Sequence, residues 1–392
     1  MANPSSLDQA PLSLLPLTGR PDILLVSLGT TMGWRANDQA FAEQVRAAGA
    51  TCELVTSRMG VAGRLPHTMA LTDVVEGLAA RRAAGRDARA TIYCSVTAAL
   101  LQPPRSPVAV RFDTTAALNR PGLGGAWQRR RERSVLARAT LLLPFSEMAA
   151  ESAASAAGPA PPPLVVLPPP VPTFDAGGLP PGAVTPLTIG AVPPFDAIPP
   201  VAPLDWSPPD VVAYGGDPHK RGIDLLYAAW REVRPEGGRL AVGGLERGEA
   251  MRRLHKAGVQ EPPGVEWMGA VSRERWMATV AGARLFVNAS RFEDWGLAQM
   301  EALAAGTPLV TVPSGGPNVA LPLARALAPE LVAPARTADA LAAAMRAGLA
   351  LGPSARRSYA EHADRLLAPY REEALRRQVA EEVLPLLLDS SS

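Results

Sequence analysis

Two glutamates, Glu293 and Glu301, have the residue type and spacing to do chemistry. Glu293 lies in a polar loop, and Glu301 follows in an apolar run, from Leu297 to Ala305, with a helical pattern. On such a helix Glu301 shares a face with Leu297 and Ala304, where an unpaired charge would cost on the order of several kcal/mol. We therefore expect Glu301 to need hydrogen-bond donors from outside its helix, and the two cis hydroxyls of a ribose would suit. The alternative is a solvated Glu301 and a surface Glu293, which would be favoured if the pair stood alone.

A second candidate is the loop from Gly215 to Gly222, which contains Lys220 and Arg221 and precedes a helical run that begins at Ile223. Cations and backbone amides at a helix N-terminus stabilise anions. The loop is therefore a candidate anion site, and the alternative is a solvated basic turn.

Short apolar runs that alternate with helical runs must position these loops. The predicted strands are 22–28, 51–55, 90–93, 108–112, 141–144, 164–167, 210–214, 239–243, 265–269, 285–287 and 309–312. Gly306 is expected just past the end of the helix that carries Glu301, and Pro308 precedes the next strand. Strands in alternation with helices predict an α/β fold of doubly wound parallel sheets, whose ligands collect at the carboxyl ends of the strands.

The stretch around the two glutamates closely resembles the Glu-x7-Glu signature of the retaining GT-B glycosyltransferases of family GT4. The matching positions are Ser290, Glu293, Gly296, Leu297, Glu301, Ala302, Gly306 and Pro308, with Trp295 in place of the usual Phe. The loop at 215–222 resembles the family's phosphate loop, with Arg221 in the position of the family's Lys. The family usually has an Arg five residues earlier, where this sequence has Gly216.

The resemblance implies a GT-B fold and a retaining transfer of a hexosyl unit from a nucleotide-sugar donor to a glycan, lipid or small-molecule acceptor. It implies no cofactor and no obligatory metal, and the sequence has no Asp-x-Asp metal motif. Glu301 would hold the ribose and Glu293 the hydroxyls of the donor sugar. Lys220 and Arg221 would hold the pyrophosphate. The other donor-binding residues that the resemblance implies are Gly33, Gly215, Met268, Gly296 and Leu297.

Three departures from the family leave a second function open, a GT-B nucleotide-sugar-binding module with impaired catalysis. They are Gly216 in the Arg position, Val319 in a usual Glu position, and Asp113 near the point where many relatives carry a His. Asp113 follows the strand at 108–112, so it either contacts acceptor or donor hydroxyls or caps the next helix. Gly33 lies in the loop 29–34 before a helix expected from Ala36, and either approaches the donor phosphates or belongs to a structural turn.

A length of 392 residues suggests two domains with separate cores. We predict a disordered leader at 1–20, a first domain at 21–175, a proline-rich connection at 176–209 and a second domain at 210–368. In GT-B folds the last helix crosses back to the first domain, and residues 369–392 are expected to do so. The late helical stretches are predicted at 337–351 and 356–384, with Thr337 as an N-cap.

Charge and composition limit the partners and the compartment. Charged residues are 19% of the chain and the net charge is +2, which does not favour nucleic acid. Two cysteines cannot form a disulfide framework, and no signal peptide or membrane-spanning run is present, so we expect a cytosolic protein. A basic helical stretch leaves two interpretations open, peripheral contact with anionic lipid or a solvated helix face. Its arginines are Arg129, Arg130, Arg131 and Arg133.

Overall fold

The computed structural model describes residues 20–29, 32–57, 69–103, 107–173 and 207–389, and within them it contains two parallel sheets of five strands. The first sheet has the order β2-β1-β3-β4-β5, built from Ile23–Ser27 (β1), Cys52–Thr56 (β2), Ala90–Tyr93 (β3), Val108–Phe112 (β4) and Leu141–Pro144 (β5). The second has the order β10-β9-β6-β7-β8, built from Val211–Tyr214 (β6), Leu240–Gly243 (β7), Val265–Gly269 (β8), Leu285–Asn288 (β9) and Leu309–Thr311 (β10). This architecture confirms the predicted α/β fold of two doubly wound domains.

Helices connect the strands and cover the sheets. They are Met32–Ala47 (α1), Met69–Ala83 (α2), Val96–Ala99 (α3), Ala116–Asn119 (α4), Ala126–Leu136 (α5), Glu147–Ala157 (α6), Ile223–Val233 (α7), Arg247–Lys256 (α8), Arg273–Gly282 (α9), Leu297–Ala304 (α10), Ala320–Leu327 (α11), Ala338–Leu349 (α12), Pro353–Leu366 (α13), Glu372–Gln378 (α14) and Leu384–Leu388 (α15). In β1, Ile23 and Leu25 belong to one buried cluster and Leu24 and Val26 to another. Both faces of the strand are therefore covered, which explains why it is apolar throughout.

Three details of the predicted elements are wrong. Helix α1 begins at Met32 rather than near Ala36, which places Gly33 in its first turn. The segment 164–167 is not a regular strand, although the amides of Val165 and Leu167 donate to carbonyls of β5. Only Leu164 forms a bridge, because Pro144 of β5 has no N–H to donate in return. The helix predicted at 356–384 is broken, because α13 ends at Leu366 and Pro369 lies in the short turn that follows.

One further prediction is confirmed, and others concern residues that the structure does not describe. Thr337 is the N-cap of α12, and its side chain accepts a hydrogen bond from the amide of Ala340, as expected. The leader and most of the proline-rich connection lie outside the described residues, as do two residues of the loop at 29–34. The domain boundaries therefore stay a prediction.

The C-terminal segment returns to the first domain. Leu375, Val379 and Leu387 are fully buried in a cluster that also contains Ile23 of β1 and Phe41 of α1. The amide of Val171 donates to the carbonyl of Tyr370 at 2.9 Å, so the returning chain also meets the end of the first domain. These contacts tie the two domains together.

A row of four aromatic side chains crosses from one domain to the other. Phe145, which directly follows β5, lies 6.0 Å from Trp34 and 6.2 Å from Trp295 between ring centroids, and Trp295 lies 5.8 Å from Tyr370. The guanidinium of the fully buried Arg111 lies 4.4 Å from the centre of the Phe145 ring. This aromatic row (Trp34, Phe145, Trp295 and Tyr370) joins the first domain to the loop that carries Glu293.

Candidate active site

The second sheet reverses its strand order between β6 and β9, because β7 follows β6 on one side and β9 lies on the other. In open α/β sheets, ligands bind at such a switch point, beyond the carboxyl ends of the strands. The loop after β6 and the loop after β9 meet there, since the amide of Arg291 donates to the carbonyl of Lys220 at 2.8 Å. Gly222 makes this approach feasible, because at φ +64° an added Cβ would lie 2.0 Å from the carbonyl oxygen of Ala289.

Glu293 is buried at this switch point and is held from several sides. Its carboxylate contacts the guanidinium of Arg221, and the hydroxyl of Ser290 donates to its Oε2 at 3.3 Å. Its amide donates to the carbonyl of Gly315 at 2.9 Å. The structure thus brings together Glu293 and Arg221, which are 72 residues apart in the sequence.

Glu301 is also buried, with 3% of the residue exposed, on helix α10. Its two oxygens accept hydrogen bonds from outside the helix, Oε1 from Arg273 Nη1 at 2.6 Å and Oε2 from Trp276 Nε1 at 2.8 Å. The need for external donors was predicted, but the sequence did not point to Arg273 or Trp276 as those donors. Both lie on α9, and no local pattern marks which side of that helix faces α10.

Lys220 is paired with a carboxylate that the sequence analysis did not single out. Its Nζ lies 2.7 Å from Oδ2 of Asp294. Asp113, at the carboxyl end of β4 in the first domain, faces this pair across the cleft. Burial and the negative charge of Asp294 raise the pKa of Asp113 to about 7, and the positive charge of Lys220 opposes the shift. The N-cap of the following helix is Thr115, so the structure gives Asp113 no capping role there.

Tyr214 occupies the space beside Gly216, the residue in the family's Arg position. A Cβ added to Gly216 would lie 2.6 Å from the Tyr214 hydroxyl oxygen, and the ring of Tyr214 lies 5.3 Å from the guanidinium carbon of Arg221. The aromatic side chain therefore packs against the one guanidinium of this loop that contacts Glu293.

The predicted donor-binding glycines and Met268 have different surroundings. Gly296 is the N-cap of α10 and has φ +89°, in the left-handed region where glycine is favoured. Gly33 lies across the cleft from this helix, because a Cβ there would contact Leu297 at 3.5 Å. Gly215 lies at the end of β6, where an added Cβ would be 2.6 Å from Val242. Met268 is half-buried against the core of the second domain.

A cavity of about 200 Å³ lies in the cleft between the two domains. It is bounded by α1, by the segment 170–173 that follows α6, and by residues of the second domain. Its lining includes Gly33, Ala36, Asn37, Ala40, Pro170, Val171, Pro172, Thr173, Arg273, Leu297 and Glu372. Of the predicted donor-binding residues, Gly33 and Leu297 line this cavity, together with Arg273, the partner of Glu301.

Comparison with known proteins agrees with this geometry. Residues 208–350 match the family model described as glycosyl transferases group 1. The glycogen synthase of Thermus thermophilus is 35% identical over 109 residues, which are 28% of this chain and 25% of that protein. The chain thus matches about a quarter of the length of this curated relative.

Solved structures extend the likeness to the whole fold. The sucrose-phosphate synthase of Thermosynechococcus elongatus has a TM-score of 0.70 at 18% identity, covering 95% of this chain and 100% of that one. HepE of Anabaena, solved with UDP and glucose, has a TM-score of 0.60 at 14% identity, covering 92% and 98%. At these identities the likeness shows the fold, and the family match covers the domain that holds Glu293 and Glu301. Residues 208–350 are therefore similar to group 1 glycosyltransferases, and the two domains together have the GT-B fold.

Proposed function

We propose that this protein is a retaining glycosyltransferase that moves a hexosyl unit from a nucleotide-sugar donor to an acceptor, without an obligatory metal. The observation that carries the proposal is the pairing of the buried Glu293 with Arg221 at the switch point, with the buried Glu301 on the helix that follows the same loop. These residues lie in the part of the chain that matches the group 1 glycosyltransferase model. The names of the similar proteins also support it, since they include a glycogen synthase and a protein solved with UDP and glucose.

Each group at the switch point has a role in the proposed reaction. Glu301 binds the ribose, Glu293 binds hydroxyls of the donor sugar, and Arg221 with Lys220 binds the diphosphate. The amides of the first turn of α10, near Gly296, add a positive partial charge for the same anion. The leaving phosphate then takes the proton of the acceptor hydroxyl on the face from which it departs, so the anomeric configuration is retained.

Asp113 is the group of the first domain best placed to meet the acceptor. It lies across the cleft from Lys220 and Asp294, and its raised pKa, about 7, lets it donate or accept a hydrogen bond near neutral pH. When the diphosphate forms an ion pair with Lys220, Asp294 loses the ion pair that it makes with this lysine. The acceptor side of the cleft is then acidic and rich in hydrogen-bonding groups, which suits a hydroxylated acceptor.

A nucleoside diphosphate should bind and stabilise the protein. Ligand at about 100 times its dissociation constant adds about 2.7 kcal/mol to the free energy of unfolding. We expect UDP, GDP or ADP, or a sugar ester of one of them, to raise the melting temperature. Slow hydrolysis of the matching nucleotide sugar without acceptor should accompany binding. If no such compound shifts the melting curve at millimolar concentration, the donor site proposed here does not exist.

One observation favours the second candidate, a nucleotide-sugar-binding module with impaired catalysis. Tyr214 fills the space beside Gly216, and both cations of the loop are already paired with carboxylates, Lys220 with Asp294 and Arg221 with Glu293. Nucleotide binding without donor hydrolysis or transfer would support this candidate over an active transferase.

We also propose a cytosolic location, with peripheral contact between the first domain and anionic lipid. Cys52 and Cys94 are buried free thiols, as expected in a reducing compartment. Among the helices that the structure describes, none has both the length and the hydropathy to cross a bilayer. On and before α5, Leu123 is 94% exposed and Trp127 is 39% exposed, beside the exposed Arg130 and Arg133.

The arginines of α5 are not equivalent, because two of them bind backbone carbonyls. Arg129 donates to the carbonyl of Gly122 at 2.9 Å and Arg131 to that of Leu100 at 2.8 Å. Arg130 and Arg133 are therefore the better candidates for lipid headgroups.

The double variant Arg130→Ala/Arg133→Ala should bind less well to vesicles of phosphatidylcholine and phosphatidylglycerol. Each cation near such a surface contributes about 1 kcal/mol, so we expect a loss of about ten-fold or more in a cosedimentation assay. The matched control is Arg376→Ala/Arg377→Ala, an exposed pair on α14. Equal binding by both variants would show that α5 is only a solvated helix face.

A further inference from the structure

Both oxygens of Glu301 already have hydrogen-bond donors in the protein, although this residue is the one proposed to bind the ribose. The indole N–H of Trp276 and the guanidinium of Arg273 each donate a hydrogen bond to one of these oxygens. A ribose hydroxyl that donates to Glu301 must therefore share an oxygen with one of these side chains or replace it. The two side chains differ in how easily they can give way.

Trp276 is held firmly in place. Only 9% of Trp276 is exposed. Its ring lies edge-on to the ring of Tyr214, at 5.9 Å between centroids, and to that of Phe286, at 6.3 Å. Gly243 packs so closely that an added Cβ would lie 2.4 Å from a ring carbon. The indole N–H therefore keeps its direction, and it fixes Oε2 of Glu301.

Arg273, in contrast, is packed loosely enough to move. Its side chain is 44% exposed and lines the cavity in the cleft. It is the first residue of α9, where the positive end of the helix dipole repels a cation. The bond to Glu301 is thus the interaction that holds the guanidinium there, and solvent is available to it when that bond breaks.

We propose that Trp276 and Arg273 together make Glu301 a ribose-specific acceptor, an inference that rests on the proposed function. Trp276 is a positioning residue that directs the lone pairs of Glu301 towards the cleft. Arg273 keeps Oε1 paired while the site is empty, and the ribose displaces it. Binding of a ribonucleoside diphosphate therefore breaks the Arg273–Glu301 ion pair and leaves the Trp276–Glu301 bond intact.

The test compares ribose and deoxyribose ligands by calorimetry, with ADP against 2′-deoxy-ADP and UDP against 2′-deoxy-UDP. The wild-type protein should prefer the ribonucleotide of the base it accepts by about ten-fold, the value of one lost charge-assisted hydrogen bond. Trp276→Phe keeps an aromatic ring but removes the N–H. We expect it to reduce this preference several-fold, with little change in affinity for the deoxynucleotide.

Arg273→Ala should act in the opposite direction. Without the guanidinium that competes for Oε1 of Glu301, the ribonucleotide should bind several-fold more tightly. The affinity for the deoxynucleotide should rise less. Arg275→Ala is the matched control, because Arg275 is an exposed cation of the same helix turn. Arg273 is itself well exposed, so this variant keeps the proposal testable even if Trp276→Phe does not fold.

Three results would overturn these ideas in different ways. Weaker ribonucleotide binding by Arg273→Ala would make Arg273 a direct ligand contact rather than a displaced partner. An unchanged ribose preference in a folded Trp276→Phe variant would reduce Trp276 to a packing role. If the wild-type protein binds neither these four nucleotides nor GDP and 2′-deoxy-GDP, the proposed function fails, and this inference fails with it.

Discussion

Replacing Arg221 by alanine should lower kcat by about 100-fold or more and change the KM for the donor much less. Arg221 precedes Gly222, the N-cap of α7, and its guanidinium contacts Glu293 at the switch point. Charge on the diphosphate grows as the glycosidic bond breaks, so a cation there stabilises the transition state more than the bound donor. Steady-state kinetics of transfer would show this as a fall in kcat at saturating donor.

Lys220→Ala tests whether the adjacent lysine supplies the second cation, and we expect a loss of the same order. Lys256, the other lysine of the chain, is exposed at the end of α8 and offers a matched control, Lys256→Ala. Full transfer activity in both Arg221→Ala and Lys220→Ala would mean that this loop is only a basic turn.

Gly216→Arg restores the cation that the family usually has in this loop. The new side chain would have to displace the ring of Tyr214, whose hydroxyl oxygen would lie 2.6 Å from the new Cβ. We therefore expect no gain in turnover from this change alone, in contrast to what a merely depleted phosphate site would give.

Glu301→Gln should weaken nucleoside-diphosphate binding by about 1.5–3 kcal/mol, which is about 10- to 150-fold in the dissociation constant. The amide keeps the shape of the side chain but loses the charge that makes a strong acceptor for ribose hydroxyls. Calorimetric titration with UDP or ADP measures the effect directly, on the free nucleotide and without any acceptor.

Glu293→Gln is the matched comparison, because Glu293 is equally buried and also paired with an arginine. We expect it to spare nucleoside-diphosphate binding and to impair sugar transfer, since its proposed contact is the sugar rather than the nucleoside. An equal loss of nucleotide affinity in the two variants would show that their roles are assigned wrongly.

The sequence predicts those parts of the site that lie close together along the chain. Glu293, Gly296 and Glu301 belong to one strand–loop–helix unit, so their spacing alone places them at a strand end and on the following helix. Gly306 is likewise recognisable as the residue after a helix, and it has φ +68°. In each case a local physical rule, a helical period or a left-handed backbone, fixes the outcome.

Contacts that depend on tertiary packing left no such pattern. Arg273 and Trp276 reach Glu301 from 28 and 25 residues away, and Asp294 reaches Lys220 from 74 residues away. Arg111 lies in an apolar strand, yet it is fully buried between aromatic rings and paired with Asp38. The packing of sheets and helices decides which side chains pair with each charged group. That packing depends on residues throughout the chain, so no local pattern reveals it.

The aromatic row has a spectroscopic consequence. Trp295 lies between Phe145 of the first domain and Tyr370 of the returning chain, and it directly precedes Gly296 at the start of α10. A change in the angle between the domains must alter the packing around its indole, and so the wavelength and yield of its fluorescence. With Trp295 replaced by phenylalanine as the reference, the difference in emission becomes an optical measure of cleft opening that needs no attached dye.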